Sequence, residues 1–306
     1  MNAKRISKRQ FLADVWGWLL VSPLVLGLLI FTLYPLLSSI VYSFYDKRMR
    51  IMEFVGWQNF RDIFSSEGGV VHQEFFHSLW VTFKYTVISV PLGMILGYLL
   101  ATFLCARVKG NKFLLTLYYL PALIPAVVSG RVWADMLNEE YGVFNVLLTQ
   151  GLGLNAISFT APENLLWAYI WLGTFHVGGG SIIWSAGIRS VDRTYYEAAS
   201  LDGANKFTQF VKITLPLTTP YIFYNLIMGM IGALQLFDGP YVLTGDSRGG
   251  ADNALQTVVM CIYETMFQRD SSGLACAMAW VLCLIVGVLT LIIFRTNRWV
   301  HYADED

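Results

Sequence analysis

Apolar residues fall along this chain in long runs, and the charges collect in the intervals between them. Six runs stand out: about Trp16 to Phe44, Trp80 to Ala106, Phe113 to Leu137, Leu165 to Ile188, Pro220 to Leu243 and Leu274 to Phe294. A stretch of ~20 apolar residues is the length that crosses a hydrocarbon layer as a helix. Lipid offers no hydrogen-bonding partner, so each run must satisfy its own backbone groups, and a helix does that. The pattern predicts an all-α polytopic membrane protein with about six transmembrane helices.

Composition agrees. Of 306 residues, 56% are hydrophobic and 14% are charged, whereas soluble domains carry ~25% charged residues. Lys4, Arg5, Lys8 and Arg9 precede an uncharged run of 31 residues from Val15 to Tyr45. A signal peptide has an apolar region of only ~7 to 15 residues and a small-residue cleavage site, so this run is read as a retained first span. Cys105, Cys261, Cys276 and Cys283 have no CxxC or Cys/His spacing, which argues against a disulfide or metal framework. A formal net charge of zero gives no ground for a nucleic-acid partner.

The placement of charge says more than its sum. With the N-terminus inside, thirteen Lys and Arg face the cytoplasm: Lys4, Arg5, Lys8, Arg9, Arg107, Lys109, Lys112, Arg189, Arg193, Lys206, Lys212, Arg295 and Arg298. Six lie outside, namely Lys47, Arg48, Arg50, Arg61, Arg248 and Arg269. Positive residues are retained on the cytoplasmic side, so both termini and the 189–216 interval are expected there. The outer intervals are then 46–79, 138–164 and 244–273. No repeat or soluble domain boundary interrupts the chain, and one membrane domain is expected over 1–306, with its core at about 15–297.

The interval from Arg189 to Pro216 carries its own helical pattern. Tyr195 to Leu201 reads as one short helix, because Glu197, Ala198, Ala199 and Leu201 favour helix. Asp202 and Gly203 break it. A second helix, about Asn205 to Ile213, places Phe207, Phe210 and Val211 on one stripe, and Pro216 is expected to close it. A helix-turn-helix with a small Ala-Ala face and an apolar stripe suits docking to another protein; the alternative reading is a solvated loop helix lying on the membrane.

Polar residues inside the runs are few, and each costs energy unless it faces protein or water. Arg131 and Asp135 are four apart and predict an ion pair on one helix face. Lys84 sits near enough to its span's end to snorkel. His176 precedes Gly178, Gly179 and Gly180, and either bonds a neighbouring helix or marks a broken helix along a solute path. Asn225 and Gln235, with Asp238 beside them, either face a cavity suited to hydroxyl-rich solutes or join helices together. The chain has no GxxxxGK[ST] phosphate loop, no HExxH and no GxSxG. An energy-coupled transporter without its own energy source needs a partner.

Glu197-Ala198-Ala199, Asp202-Gly203-Ala204, Phe210, Ile213, Leu215 and Pro216 resemble the EAA signature of binding-protein-dependent ABC importer permeases, EAAxxDGAxxxxxFxxIxLP. The likeness extends to Gly56-Trp57-Gln58-Asn59-Phe60, the run Leu120 to Pro125 followed by Trp133, Tyr141 to Asn145, and Phe237-Asp238 through Gly245. These look like carbohydrate permeases of the maltose-transporter type. The family often has Gly-Gly-Pro where Asp246 to Gly250 stand here, which leaves the shape of that outer loop open.

The resemblance implies a type I ABC importer transmembrane fold with a cytoplasmic coupling helix, in a bacterial or archaeal inner membrane. It implies two ATPase subunits that bind ATP and Mg, a second permease that is by family habit a different chain, and an extracytoplasmic sugar-binding protein. No catalytic residue, metal or cofactor is implied in this chain. Glu197 resembles the glutamate that faces the ATPase, and Gly203 the turn between the two short helices. Phe210, Ile213 and Leu215 resemble the stripe that ties the loop to the bundle. Two alternatives are an ABC permease for another solute, such as a glycerol phosphate ester or an amino acid, and an ion-gradient transporter. The first needs Lys or Arg on the path; the second needs intramembrane acidic pairs or an inverted repeat, and neither is seen.

Overall fold

A computed structural model describes residues 8–48, 51–105 and 110–300. The first run is helical from α1 (Lys8–Leu28) into α2 (Tyr34–Tyr42), with a π-turn at Leu29–Leu33 between them. The Tyr34 N–H bonds the Leu29 carbonyl, five residues back. This wide turn ends directly before Pro35, whose ring would otherwise strike the carbonyl four residues earlier.

The expectation of an all-helical chain needs correction. Strands β1 (Tyr45–Arg48) and β2 (Ile51–Phe54) pair antiparallel, with Tyr45 opposite Phe54 and Arg48 opposite Ile51. The hairpin is held at its base by Asn59, whose buried amide donates to the Ser43 and Tyr45 carbonyls at 2.8 and 2.9 Å. The molecule is mostly helical. Asn59 lies in α3 (Gln58–Phe64), which leads to α4 (Val70–Cys105), a 36-residue helix in which Pro91 leaves the run unbroken.

Three of the six apolar runs are not single helices. The third is divided into α5 (Asn111–Tyr119) and α6 (Ala126–Met136) by a 3-10 turn at Leu120–Leu123 and an extended Ile124. Pro121 and Pro125 cause the break, since neither has an N–H to continue the ladder. A short α7 (Val143–Val146) follows. The fourth is divided into α8 (Pro162–Gly173) and α9 (Ser181–Ser190) by a 3-10 stretch at Thr174–Gly180. Three consecutive glycines there weaken the α conformation.

Beyond α9, α10 (Arg193–Leu201) and α11 (Lys206–Gln209) form the predicted helix pair. Pro216 does not close it. A second π-turn, Phe210–Thr214, again ends one residue before a proline and passes the chain into α12 (Leu215–Leu217). The turn comes later: the segment Lys206–Leu217 meets α13 (Thr219–Leu234) at 64°. The fifth run then breaks at Gln235–Phe237 before α14 (Asp238–Thr244). The Leu236 carbonyl freed there accepts the Thr257 hydroxyl at 2.6 Å. Last come α15 (Val258–Phe267) and α16 (Ser272–Arg295). Among the described residues, three helices, Trp16–Tyr42, Val70–Cys105 and Ser272–Arg295, are long and apolar enough to cross a membrane, and a fourth is counted if the bent pair Lys206–Leu217 and Thr219–Leu234 is taken as one span.

The long α4 is the common wall of the bundle, packing against α8, α9, α13 and α15. Near its start Phe75 joins Ile63, Val258, Ala277, Met278 and Val281 in one buried cluster. Near its end Tyr98 and Ala101 form another with Trp184. The α4 start also carries a charged staple. Glu264 is buried, its side chain 3% exposed, and accepts from Arg248 Nε and an Arg269 guanidinium nitrogen at 3.1 Å each. Arg269 also reaches Glu74 at 2.6 Å, and the Gln256 amide donates to Glu264 at 3.2 Å. Burial pulls the Arg269 pKa down, but the two carboxylates outweigh it and hold the guanidinium charged.

Two stability predictions follow from this packing. Gly273 lets the first turn of α16 lie on the Tyr45 carbonyl, where a Cβ would collide with backbone. Gly273→Ala is expected to cost ~1 to 3 kcal/mol and lower the melting temperature in detergent, while Gly287→Ala, with nothing within 4 Å, leaves it unchanged. Glu264→Gln leaves the guanidinium groups facing a neutral amide, and a loss of ~1 to 3 kcal/mol is expected in the same melt.

Candidate functional site

The three breaks in the apolar runs converge. Leu236 lies within one break and Gly173 precedes another, and both line two adjoining cavities walled on one side by α4. The first cavity, about 370 Å³, is lined by Tyr85, Ser89, His176, Trp184 and Asn225 among others. The second, about 530 Å³, takes in Pro121 and Ile124 of the third break together with Ser129, Trp133, Tyr169, Gln235 and Asp238. Tyr85 and His176 line both.

All four polar residues singled out from the sequence therefore border the cavities. His176 bonds the neighbouring α6 and lies in the 3-10 break between α8 and α9. Its Nδ1 faces the Leu172 carbonyl at 3.4 Å, and its Nε2 lies 3.0 Å from the Ser129 hydroxyl of α6. A carbonyl only accepts, so Nδ1 carries the hydrogen and Nε2 accepts from Ser129. Asn225 donates its amide to the Tyr221 carbonyl at 2.8 Å, which leaves its oxygen for other partners. Asp238 occupies the first turn of α14, where exposed backbone N–H groups favour negative charge.

Sequence reasoning passed over most of the aromatic wall. The Tyr85 and Tyr169 rings lie 5.5 Å apart, tilted by 41°, and Trp133 lies 5.1 Å from Phe175 and 6.3 Å from His176. The Tyr169 hydroxyl abuts Gly239, a position where any Cβ would push it away. An aromatic residue in an apolar run looks the same whether it faces lipid or a cavity, so periodicity carried no signal for these. Arg131 and Asp135 do pair, at 3.7 Å, with side chains 77% and 51% exposed. Lys84 sets its ammonium 5.2 Å from the Trp80 ring, a cation–π contact.

The loop between α9 and α13 is a self-contained piece. Asp192 caps α10 by accepting from the Thr194 N–H at 2.9 Å, and that bond holds its carboxyl below the ordinary range. Gly203, at φ +80°, ends α10: its N–H bonds the Ser200 carbonyl while the Ala204 N–H bonds Ala199 at 2.9 Å. This is the glycine-terminated cap that only a residue without a Cβ forms cheaply. Asn205 caps α11 through the Thr208 N–H, and Gln209 donates to the Ser200 hydroxyl and the Ala204 carbonyl. Asp202 sits at the α10 C-cap.

Outward, Glu197 and Ala198 are exposed and Ala199 is half-buried, while Leu201 and Phe207 are 90% and 75% exposed. Inward, Phe210 packs on Tyr98 with rings 5.9 Å apart. Ile213 is half-buried, and Leu215 remains 36% exposed. The loop thus presents a carboxylate and large apolar side chains outward from a fixed base.

Comparison with known proteins places this geometry. Residues 89–302 match the family model of the binding-protein-dependent transport system inner membrane component. The chain is 35% identical to the probable ABC transporter permease protein YesP of Bacillus subtilis, over 95% of this chain and 93% of that protein. It is 30% identical to the trehalose/maltose transport system permease protein MalF of Thermococcus litoralis, over 98% and 99% of the two chains. A crystal structure of a bacterial alginate ABC transporter, in complex with an alginate pentasaccharide-bound periplasmic protein, contains a chain of the same fold, with TM-score 0.83, 23% identity, and coverage of 95% and 96%. The chain belongs to the binding-protein-dependent transport system inner membrane component family, and is a non-catalytic, multi-pass ABC-importer permease of the kind found in carbohydrate uptake systems.

Proposed function

We propose that this chain forms one half of the path of an ATP-driven oligosaccharide importer, as a single permease unit over 1–306 with about six spans. Loop 189–216 is its coupling element. The observation that carries the reading is the loop itself: every fixed position of the EAA form is present, and the fold leaves Glu197, Ala198 and Leu201 free at its tip while Phe210 anchors its base. The thirteen-to-six excess of Lys and Arg supports a cytoplasmic position for this loop and for both termini.

In this assembly two ATPase subunits bind ATP and Mg and receive the loops, a second and different permease completes the path, and an extracytoplasmic binding protein delivers solute. ATP binding draws the coupling loops together and favours the outward-facing bundle; each ligand acts through its differential affinity for the two states. A carbohydrate fits the cavities best. Their polar lining is Ser129, His176, Asn225, Gln235 and Tyr hydroxyls beside aromatic faces, with Asp238 as a carboxylate. Neutral donors and acceptors match sugar hydroxyls, whereas a phosphate ester calls for guanidinium or ammonium groups. Relatives named for trehalose/maltose, lactose and arabinooligosaccharides support the same class.

Glu197→Ala and Gly203→Pro are expected to abolish binding-protein-stimulated ATPase activity of the reconstituted complex while leaving membrane insertion intact. Full stimulation in either variant overturns the coupling role. Asn225→Leu combined with Gln235→Leu is expected to lower uptake of the solute carried by the co-purified binding protein at least tenfold, with the four-component complex still isolated intact. Uptake at the parental rate removes these residues from the path.

A further inference from the structure

One side chain of α4 grips both stems of the coupling loop. Tyr98 is 7% exposed, and its ring meets Trp184 of the incoming α9 edge-on at 5.3 Å. The same ring lies against Phe210 of the outgoing π-turn. Its hydroxyl lies 2.7 Å from the Thr218 hydroxyl, at the 64° bend where the loop becomes α13. Thr218 is fully buried and already donates to the Thr214 carbonyl at 2.7 Å, so Tyr98 is the donor of this pair. Thr214 in turn shares a 2.9 Å hydrogen bond with Tyr196, on the helix that carries Glu197. The stems are also pressed together where Gly187 of α9 admits the Tyr221 ring of α13, 2.6 Å from where a Cβ would stand.

We propose that Tyr98 is the positioning residue of energy coupling: through Thr218, Thr214 and Tyr196 it locks the loop to the long α4, so that displacement of the loop moves the cavity wall as one piece. The proposal rests on the reading of 189–216 as the coupling loop and deepens it. A π-turn followed by a bend is a natural hinge. Without a lock at Thr218, motion of α10 would be absorbed at 210–218. With it, the motion reaches α4, which carries Tyr85 of the cavities about 13 residues earlier on the same helix, some 20 Å away. Tyr98 lines neither cavity, and no charged group is needed for its role.

The test uses the full complex in proteoliposomes with its binding protein as purified with bound solute. Tyr98→Phe keeps the ring and its aromatic contacts, and Thr218 retains the Thr214 carbonyl, so no buried group loses its last partner. Loss of one hydrogen bond is expected to lower the ratio of stimulated to unstimulated ATPase activity roughly two- to tenfold, and to speed amide hydrogen exchange across 193–217. Thr218→Val should do the same, the double variant should add little to either, and Thr218→Ser should behave as the parent. Parental stimulation and exchange in Tyr98→Phe overturn the proposal. If Glu197→Ala abolishes stimulation while Tyr98→Phe keeps the parental ratio and exchange, the coupling reading stands and the lock is wrong. Full stimulation in Glu197→Ala overturns the coupling reading and the lock with it.

Discussion

Backbone hydrogen bonding inside a hydrocarbon layer is the constraint from which the rest of this structure follows. A helix meets it without help, and any interruption must be met by protein or by a water-lined space. The chain interrupts three of its apolar runs, at Leu120–Pro125, Thr174–Gly180 and Gln235–Phe237, and turns all three toward one place. The repairs are visible there: Leu236 is served by Thr257, and Leu172 by His176. The cavities lie at the breaks, and His176, one of the groups that repair them, borders both.

The same economy governs the two ends of α4. Its start carries Glu74 and the Glu264 staple, and its end carries Tyr98 and the contacts of the loop 189–216. Each end joins segments far apart in sequence by polar contacts that the helix ladder leaves unused. Tyr85 lies between them on the same helix and faces both cavities. A rigid helix of this length suits a protein whose energy source and solute act at different depths.

The prolines show how far local rules carry. Pro35 and Pro216 each follow a π-turn and leave the helix running. Pro121 and Pro125 end one, and Pro91 does neither. The residue is the same; what differs at Pro35 and Pro216 is the π-turn before them, which widens the helix ahead of the ring. That is why Pro216 was expected to stop a helix and instead sits inside one, with the bend displaced to Thr218.

The apolar runs, the placement of Lys and Arg in the intervals between them, and the spacing of Glu197, Gly203 and Phe210 were determined by the sequence alone, because each depends on residues adjacent along the chain or on the solvent around it. The turn at Gly203 belongs to the same class, since one left-handed residue suffices to make it. Only the tertiary structure decided that His176, Asn225, Gln235 and Asp238 border adjoining cavities, that Tyr85, Trp133 and Tyr169 complete their wall, and that Glu264 is held by two arginines. It also decided the hairpin at Tyr45–Phe54, whose anchor is the Asn59 amide. The physical reason is common to all of these. An apolar run presents the same composition to lipid, to a helix or to a cavity, and the direction in which each face points is set by the packing of distant segments.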